Sequence, residues 1–488
     1  MKSVALILLA VCVNFAVWGA GKSRAELFYE NGYNYFWGKN GVKKDVVKAV
    51  KLFTMAAKAG HGWAQFSLAK ILCSDVAGKR DYAQAFFWAK KSAEKVPQAN
   101  MLLGWFYMSG KGGKYDPVAA FKCYQKLAYH RLPDGYGTLA WCYMFGEGTE
   151  INTQLALENL QKGARCGNWT SQWMLASCHF YGQFLPVDRA AAEYWFGEFR
   201  KRAQWYVANG APGGYYQLGM MFRFGLLEPY DINECLRLWK KAADAGFADA
   251  GYAYALELLN GVEKVRNVPE AVKMLKLFAD EKFAAKLQLI CLYDRGIEVE
   301  RDKVYAERLF KEVMAKFNAE CADIQDLLAL GQMLQTGVGC PADPEGAEKY
   351  FQLAMKKLRP QAENGVMFSQ MLLGYCSYFG EGIRKDRKAA RKNLISARAL
   401  IENHAKCDSG IALGLYGVMH LHGWGVAKSP EKAVEYLKRA YNHNAAFAAY
   451  ALYEMYRDGN GVEASRSEAA KYLKFAADRK YPPALTAD

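Results

Sequence analysis

No Gly-x-Ser-x-Gly and no His-Glu-x-x-His occurs in the 488 residues, which removes the commonest hydrolase routes, the nucleophile elbow and the zinc-protease helix. After the first twenty or so positions, no stretch approaches the roughly 18 uninterrupted apolar residues that a bilayer-spanning helix needs. Histidine is sparse, seven in all and scattered. Acidic residues are outnumbered, 49 against 64 Lys and Arg, for a formal charge of +15. Any partner chosen by long-range electrostatics is therefore anionic. Apolar material is plentiful at 52%, with 14% aromatics, a composition that excludes intrinsic disorder and supplies a large core.

The N-terminus reads as an address. Lys2 precedes an apolar run from Val4 to Val13, and small residues from Gly19 to Gly21 precede Lys22. One charge, a short greasy stretch and a small-residue cut site fit a secretory signal peptide spanning residues 1–20. An uncleaved anchor is the rival reading, though Val4 to Ala20 contains Asn14 and is at the lower limit for a span. Lipidation at Cys12 is a third, weakened by the Val11 before it. Export, to periplasm or beyond, is the expectation, with no transmembrane segment in the mature chain.

The rest of the chain repeats itself. Leu103-Gly104, Tyr107, Gly110, Gly112, Asp116, Ala120, Tyr124 and Ala128 supply a template, which Leu139-Ala140, Tyr143, Gly146, Gly148, Ala156, Leu160 and Ala164 repeat 36 positions later. Counting the leucine as slot 0, further copies begin at Leu68, Leu175, Leu218, Tyr254, Leu289, Leu330, Leu373, Tyr416 and Leu452. A looser first copy at Asn31-Gly32 makes twelve. Apolar residues at slots 0, 3 and 4, then 17, 20, 21 and 24, follow helical spacing on either side of a glycine-containing gap, so each copy predicts helix, turn, helix. Glycine at slots 7 and 9 suits left-handed backbone, and Asp or Asn near slot 13 suits the cap of the second helix.

This frame resembles the Sel1-like repeat family, a relative of the tetratricopeptide repeat, over roughly Leu27 to Ala477. The resemblance implies an all-α, right-handed α/α solenoid of about twelve helix-turn-helix units. Some copies depart from the frame: Asp75 replaces the slot 7 glycine, and Phe184 and Glu263 replace slot 9 glycines. Most copies start 35 to 37 apart, but those at Leu175, Leu330 and Leu373 run to 43. Seven surplus residues are about two helical turns, or about 10 Å. The fifth, ninth and tenth second helices are accordingly expected to project, with Pro360 threatening the ninth. Residues 478–488 begin another unit and stop at Pro482-Pro483, a truncated cap for the terminal apolar face.

Motif matches have plain explanations in this frame. The Gly-x-Gly pairs recur at one slot without a preceding strand, so they are turns and not phosphate loops. Ser67-x-x-Lys70 and Ser92-x-x-Lys95 match a β-lactam-recognising nucleophile pattern but lack its Ser-Asp-Asn and Lys-Thr-Gly partners. His179 and His420 occupy a slot usually filled by Tyr, and His422 sits two positions on, so packing accounts for them without a metal. Eleven cysteines remain beyond Cys12, and Cys142, Cys178 and Cys376 share core slot 3. Free cysteine behaves there as a small hydrophobe, with occasional bridges left open. No catalytic residue, metal or cofactor is assigned.

Two surfaces are candidates for binding. Residues 1–244 hold 30 basic against 18 acidic side chains, and 245–488 hold 34 against 31. Basic clusters at Lys43, Lys44, Lys48 and Lys51, and at Arg384, Lys385, Arg387, Lys388, Arg391 and Lys392, suit either a solvated helix face or an anionic envelope polymer, acidic protein or lipid headgroup. Export argues against nucleic acid. Slots −2, 2 and 5 carry Trp105, Met108, Trp141, Met144, Trp173, Tyr216, Met220 and Tyr252. The family resemblance places first helices on a concave surface, which would make this stripe an aromatic groove of hot-spot residue types; inter-repeat core is the competing reading. The expected function is an exported, non-enzymatic scaffold or adaptor mediating protein–protein interaction at the cell envelope, its partner unnamed. The alternative is binding, or hydrolysis, of peptidoglycan or another anionic envelope polysaccharide.

Overall fold

The structure, a computed structural model, describes residues 22–74, 76, 78, 80–261 and 264–486. The expected signal segment lies outside the described residues, as do Asp75 and Glu263. Helices follow one another from Arg24 to Leu485, with no strand among the described residues. Twelve helix-turn-helix repeats form an α/α solenoid.

The slot 13 residue starts nearly every second helix. Asp45, Asp81, Asp116, Asn152, Asp231, Asn267, Asp302, Asp343 and Asp386 each accept a hydrogen bond from the backbone N–H three residues on, and Ser429 and Ser465 do the same. Each cap satisfies an otherwise orphaned donor and contributes about 1 kcal/mol. Slot 17 is a contact point between helices: Ala120, Ala156, Ala271, Ala306, Ala390 and Ala433 are all fully buried. A larger side chain there would push the helices apart.

The slot 9 glycine serves both conformation and approach. Gly112 and Gly148 both have φ of +74°, and a Cβ on either would lie 2.0 Å from a carbonyl oxygen, of Tyr82 or Pro117, in the first turn of the preceding second helix. The turn thus lies directly on the previous repeat. Phe184, Leu227 and Glu298 hold the same slot with φ of 64°, 65° and 64°, so the turn keeps its left-handed geometry even where glycine is missing. That costs roughly 1–2 kcal/mol per residue.

The chain divides into two compact units, one of residues up to Ser177 plus Arg189–Gly214, the other of Cys178–Asp188 plus Tyr215 onward. The first is centred on Phe53, Phe106, Leu127, Leu160, Phe196 and Phe199, all fully buried.

The second unit folds back on itself at a regular sequence separation. Gln183 Oε1 accepts from the Met367 N–H at 3.2 Å, 184 residues on. Arg223 donates to the Cys407 carbonyl at 2.5 Å, again 184 apart. His443 Nδ1 bonds the Asn260 carbonyl at 2.9 Å over 183 residues, and Lys480 donates to Asp294 at 2.9 Å over 186. In this unit the loops that follow second helices dock on turns four repeats earlier. Asp408, Asn444 and Lys480 in those loops hold φ of 55°, 66° and 52°.

The three long copies follow their expectation in part. The fifth second helix, Arg189–Ala208, and the ninth, Pro344–Glu363, are continuous over 20 residues each. Pro360 is accommodated within the ninth without a break. In the tenth the helix divides at Ala397 into Arg387–Ser396 and Arg398–Lys406. The extensions pack instead of standing free: Phe199, Ala203, Ala362, Leu400 and Ile401 are buried. Asn403 bonds the Tyr181 hydroxyl and the Phe224 carbonyl at 3.3 and 3.2 Å. At the C-terminus Pro482-Pro483 open a one-turn helix, Pro482–Leu485, a position that suits proline because the first N–H groups of a helix have no internal partner. Tyr481 and Ala484 are buried against the last repeats.

Candidate interaction surfaces

The aromatic stripe separates into core and surface once side chains are placed. Met144, expected on the open face, is 2% exposed and belongs to the core. Its helix, Pro133–Phe145, buries residues on nearly all sides, leaving slot 5 no path to solvent. Trp105, Met108, Trp173, Tyr216, Met220 and Tyr252 are half-buried. Trp173 rests against Phe196 and Phe199 at ring separations of 5.5 and 5.0 Å, and Tyr216 against Trp239 and Phe247 at 5.9 and 5.4 Å. Trp141 is the widely open member, 48% exposed, its ring tilted against Phe145 of its own helix at 4.1 Å. Trp105 through Trp173 lie in the first unit, and Tyr216, Met220 and Tyr252 in the second.

All ten basic candidates are exposed. Lys43, Lys44, Lys48 and Lys51 belong to the first unit, where Lys48 is already engaged, bonding the Tyr35 hydroxyl and sitting 4.0 Å over its ring. Arg384, Lys385, Arg387, Lys388, Arg391 and Lys392 belong to the second. Beside them lies a cleft of about 740 Å³ between the ninth second helix and the turn of the tenth copy, lined by Lys356, Arg359 and Arg384 as well as apolar side chains. Lys356 and Arg359 were not singled out from the sequence. The surplus length of the ninth copy was the signal that could have found them.

Side chains resembling catalytic groups are used by the scaffold. Ser92 Oγ donates to the Gly62 carbonyl at 2.9 Å, and Lys95 Nζ to the Gly60 carbonyl at 2.8 Å. His420 bonds the Ala427 carbonyl at 3.1 Å, and His422 bonds the Tyr378 hydroxyl at 2.9 Å and stacks on Trp424. Burial holds the His422 imidazole down to about 4, aided by Arg387 and Lys428. Cys142, Cys178 and Cys376 are buried, and burial pushes the first two thiols up to about 12. Such thiols are inert fillers. Among the described residues no group of three His, Cys, Asp or Glu is placed to hold a metal ion, and no helix is long and apolar enough to cross a membrane.

One half-buried polar cluster was not foreseen. In the second unit Glu381 accepts hydrogen bonds from the Tyr375 hydroxyl and the Gln332 amide, with no cation beside it among the described residues, and burial pushes its carboxyl up to about 7. Glu381 stands at slot 8, between the two turn glycines. A single sequence gives no sign that this slot turns inward.

The fold and its surfaces define an α/α repeat solenoid, a class in which stacked helix pairs present recognition faces. The Sel1 repeat family model matches twelve segments, residues 29–61, 64–95, 97–130, 136–168, 169–198, 212–247, 248–283, 290–312, 326–357, 368–400, 411–444 and 446–481. The chain belongs to the Sel1 repeat family. It is similar to the chitin synthase regulator SKT5 of Saccharomyces cerevisiae, 34% identical over 97 residues, or 19% of this chain and 14% of that one. It is also similar to the chitin synthase regulatory factor 3 of Schizosaccharomyces pombe, 26% identical over 246 residues, or 48% of this chain and 24% of that one. The chain thus spans less than a quarter of the length of either relative. Among solved structures it resembles c5321, a protective antigen of uropathogenic Escherichia coli with an SLR fold, at 23% identity over 95% of both chains with a TM-score of 0.35. A Sel1 repeat protein of Oxalobacter formigenes is 24% identical over 45% of this chain and 85% of that one, with a TM-score of 0.39. Sel1 repeat proteins generally mediate protein–protein interaction and are generally non-catalytic.

Proposed function

We propose that this chain is an exported, non-enzymatic scaffold that holds a protein partner at the cell envelope. The observation that carries the reading is where its reactive-looking side chains go. Ser92 and His420 are spent on contacts within a repeat and Lys95 and His422 on contacts between repeats, whereas cations and the Trp141 ring are left at the surface. A repeat protein that invests its polar groups in rigidity offers a pre-ordered surface, which lowers the entropy cost of holding a partner. The two fungal relatives are named as regulators of another protein, chitin synthase, and such a role suits an adaptor. Export rests on the N-terminal sequence alone.

Pulldown of the tagged chain from intact envelope fractions, with crosslinking, tests the reading. A protein partner recovered in fixed proportion is the expected result. Salt-sensitive retention on purified sacculi without a protein partner would replace it by the polysaccharide reading. Turnover of a glycan or β-lactam by the purified chain would overturn the non-enzymatic assignment, and cell fractionation that finds the expressed chain in the cytoplasm would overturn export.

A further inference from the structure

The ninth repeat differs from an ordinary one in a way that builds a cleft. A thirteen-residue second helix, as in the third copy, begun at Pro344 would stop at Lys356. The helix instead runs to Glu363. Arg359 and Pro360 lie in the surplus turns, and together with the turn of the tenth copy they wall in the volume of about 740 Å³. Lys356 and Arg359, three apart, share one face of that helix. Arg384 lines the cleft from the tenth copy's turn. All three are exposed, and none has an ion-pair or hydrogen-bond partner among the described residues. The single carboxylate on the cleft, Glu348, already accepts from the Gln352 amide at 2.9 Å. Ile383 of the turn supplies half-buried apolar lining, and Phe351 and Met355 of the same helix border the cleft from the core with little exposed surface.

The cationic surface continues past the cleft. The loop bearing Arg384 leads into helix Arg387–Ser396, where Lys388, Arg391, Lys392 and Ile395 line a second depression at helical spacing, together with the capping carboxylate of Asp386. Three unpaired cations around one volume of mixed polar and apolar lining suit a ligand with both carboxylates and apolar side chains. A uniform polyanion leaves the apolar lining unused, and a flat headgroup layer does not enter a cleft. The volume falls within the range of about 300–1,000 Å³ typical of ligand sites.

We infer that the cleft between the ninth and tenth repeats binds an acidic protein segment, its carboxylates on Lys356, Arg359 and Arg384 and an apolar side chain against Ile383, bordered by Phe351 and Met355. The inference rests on the scaffold reading only in taking the ligand to be a protein. It assigns the contact to an added length of second helix and not to the stripe of first-helix aromatics.

Fluorescence anisotropy tests it with the full chain and a labelled peptide of sequence Asp-Glu-Leu-Phe-Glu-Asp. Saturable binding is expected, weakened at least about tenfold, or about 1.4 kcal/mol, in the K356E/R359E/R384E variant and measurably in R359E alone. Replacing Leu and Phe in the peptide by Ala should weaken it to a similar extent. Because the three cations are exposed, circular dichroism and thermal unfolding should be unchanged; R359E serves as the readout if the triple variant is unstable. Absence of saturable peptide binding, an alanine peptide that binds equally, polyphosphate that binds as tightly, or variants that bind like the parent would each overturn the inference. A variant that loses the peptide but still captures an envelope partner would support the cleft and place that partner elsewhere. A variant that keeps both would sink the cleft and leave the scaffold standing.

Discussion

Lys480, just past the second helix of the twelfth repeat, reaches back 186 residues to donate its ammonium to the Asp294 carboxylate at 2.9 Å and to the Gly337 carbonyl at 3.1 Å. Asp294 is 3% exposed, and its other oxygen accepts from the Gly339 N–H at 3.3 Å. In an ordinary solenoid each repeat touches only its neighbours. Here the end of the twelfth repeat is bound to the eighth and ninth, so the second unit closes on itself. Closure of this kind should convert gradual end-fraying into more cooperative unfolding.

Breaking that pair strands a buried charge. K480M is expected to destabilise the second unit by about 3 kcal/mol, because removing one partner of a buried ion pair leaves the other desolvated. The double variant K480M/D294L should recover part of the loss. Urea unfolding of the four proteins in the cycle measures the coupling, and strict additivity would show that the contact carries no energy.

Two turn glycines with the same backbone angle should respond differently to alanine. Gly148 and Gly425 have φ of +74° and +70°, but a Cβ would lie 2.0 Å from the Pro117 carbonyl oxygen at the first and 3.5 Å from Arg398 and Ile395 at the second. G425A should cost about 1 kcal/mol for the left-handed backbone alone. G148A should cost several-fold more, since a backbone must move. Thermal unfolding of both variants makes the comparison, and equal losses would contradict the close-approach account.

The Glu381 carboxyl gives stability a pH dependence of definite sign. Its folded value of about 7, raised by burial, lies above the ordinary carboxylate value of 4.5. The folded state therefore holds a proton that the unfolded state has released, and stability falls as pH rises from about 4.5 to 7, then levels off. His404, held down to about 4 mainly by burial, acts oppositely, its contribution falling as pH drops below about 6.5. The difference between the parent and E381Q isolates the carboxylate: the variant should be more stable at pH 8 by about 2 kcal/mol, reduced from the full linkage value because Glu381 is partly exposed, and the gap should close toward pH 4. Denaturant unfolding across that range measures it, and a constant gap would refute the assignment.

Met144 and Trp141 separate packing from display within one helix. M144A should cost about 3 kcal/mol through the cavity it leaves. W141A should change stability by less than about 1 kcal/mol, since half of the ring is already in water. If Trp141 meets a partner, its loss weakens capture without changing the unfolding curve, and a large fall in stability for W141A would place the ring in the core.

The beat of glycine and capping residue was legible because it is local chemistry. Gly146 ends a helix and Asn152 begins the next within a few residues of chain, and neither needs distant help. The fate of the slot 5 side chains was not legible, since Met108 and Met144 share a pattern while only the second is sealed from solvent. The surplus in the ninth copy was visible as length, but its alignment with the next repeat's turn was not.

By itself the amino-acid sequence determined the repeat count, the helix starts and stops, and the use of buried cysteines as filler, all of which follow from spacing along one or two helices. Only the tertiary structure decided that residues about 184 positions apart meet, that Glu381 sits among Tyr375 and Gln332, and that Lys356, Arg359 and Arg384 line one cleft. The reason is physical: capping and periodicity act over a turn or two, whereas the return of a coil upon itself accumulates small rotations over several repeats, and no single residue carries that sum.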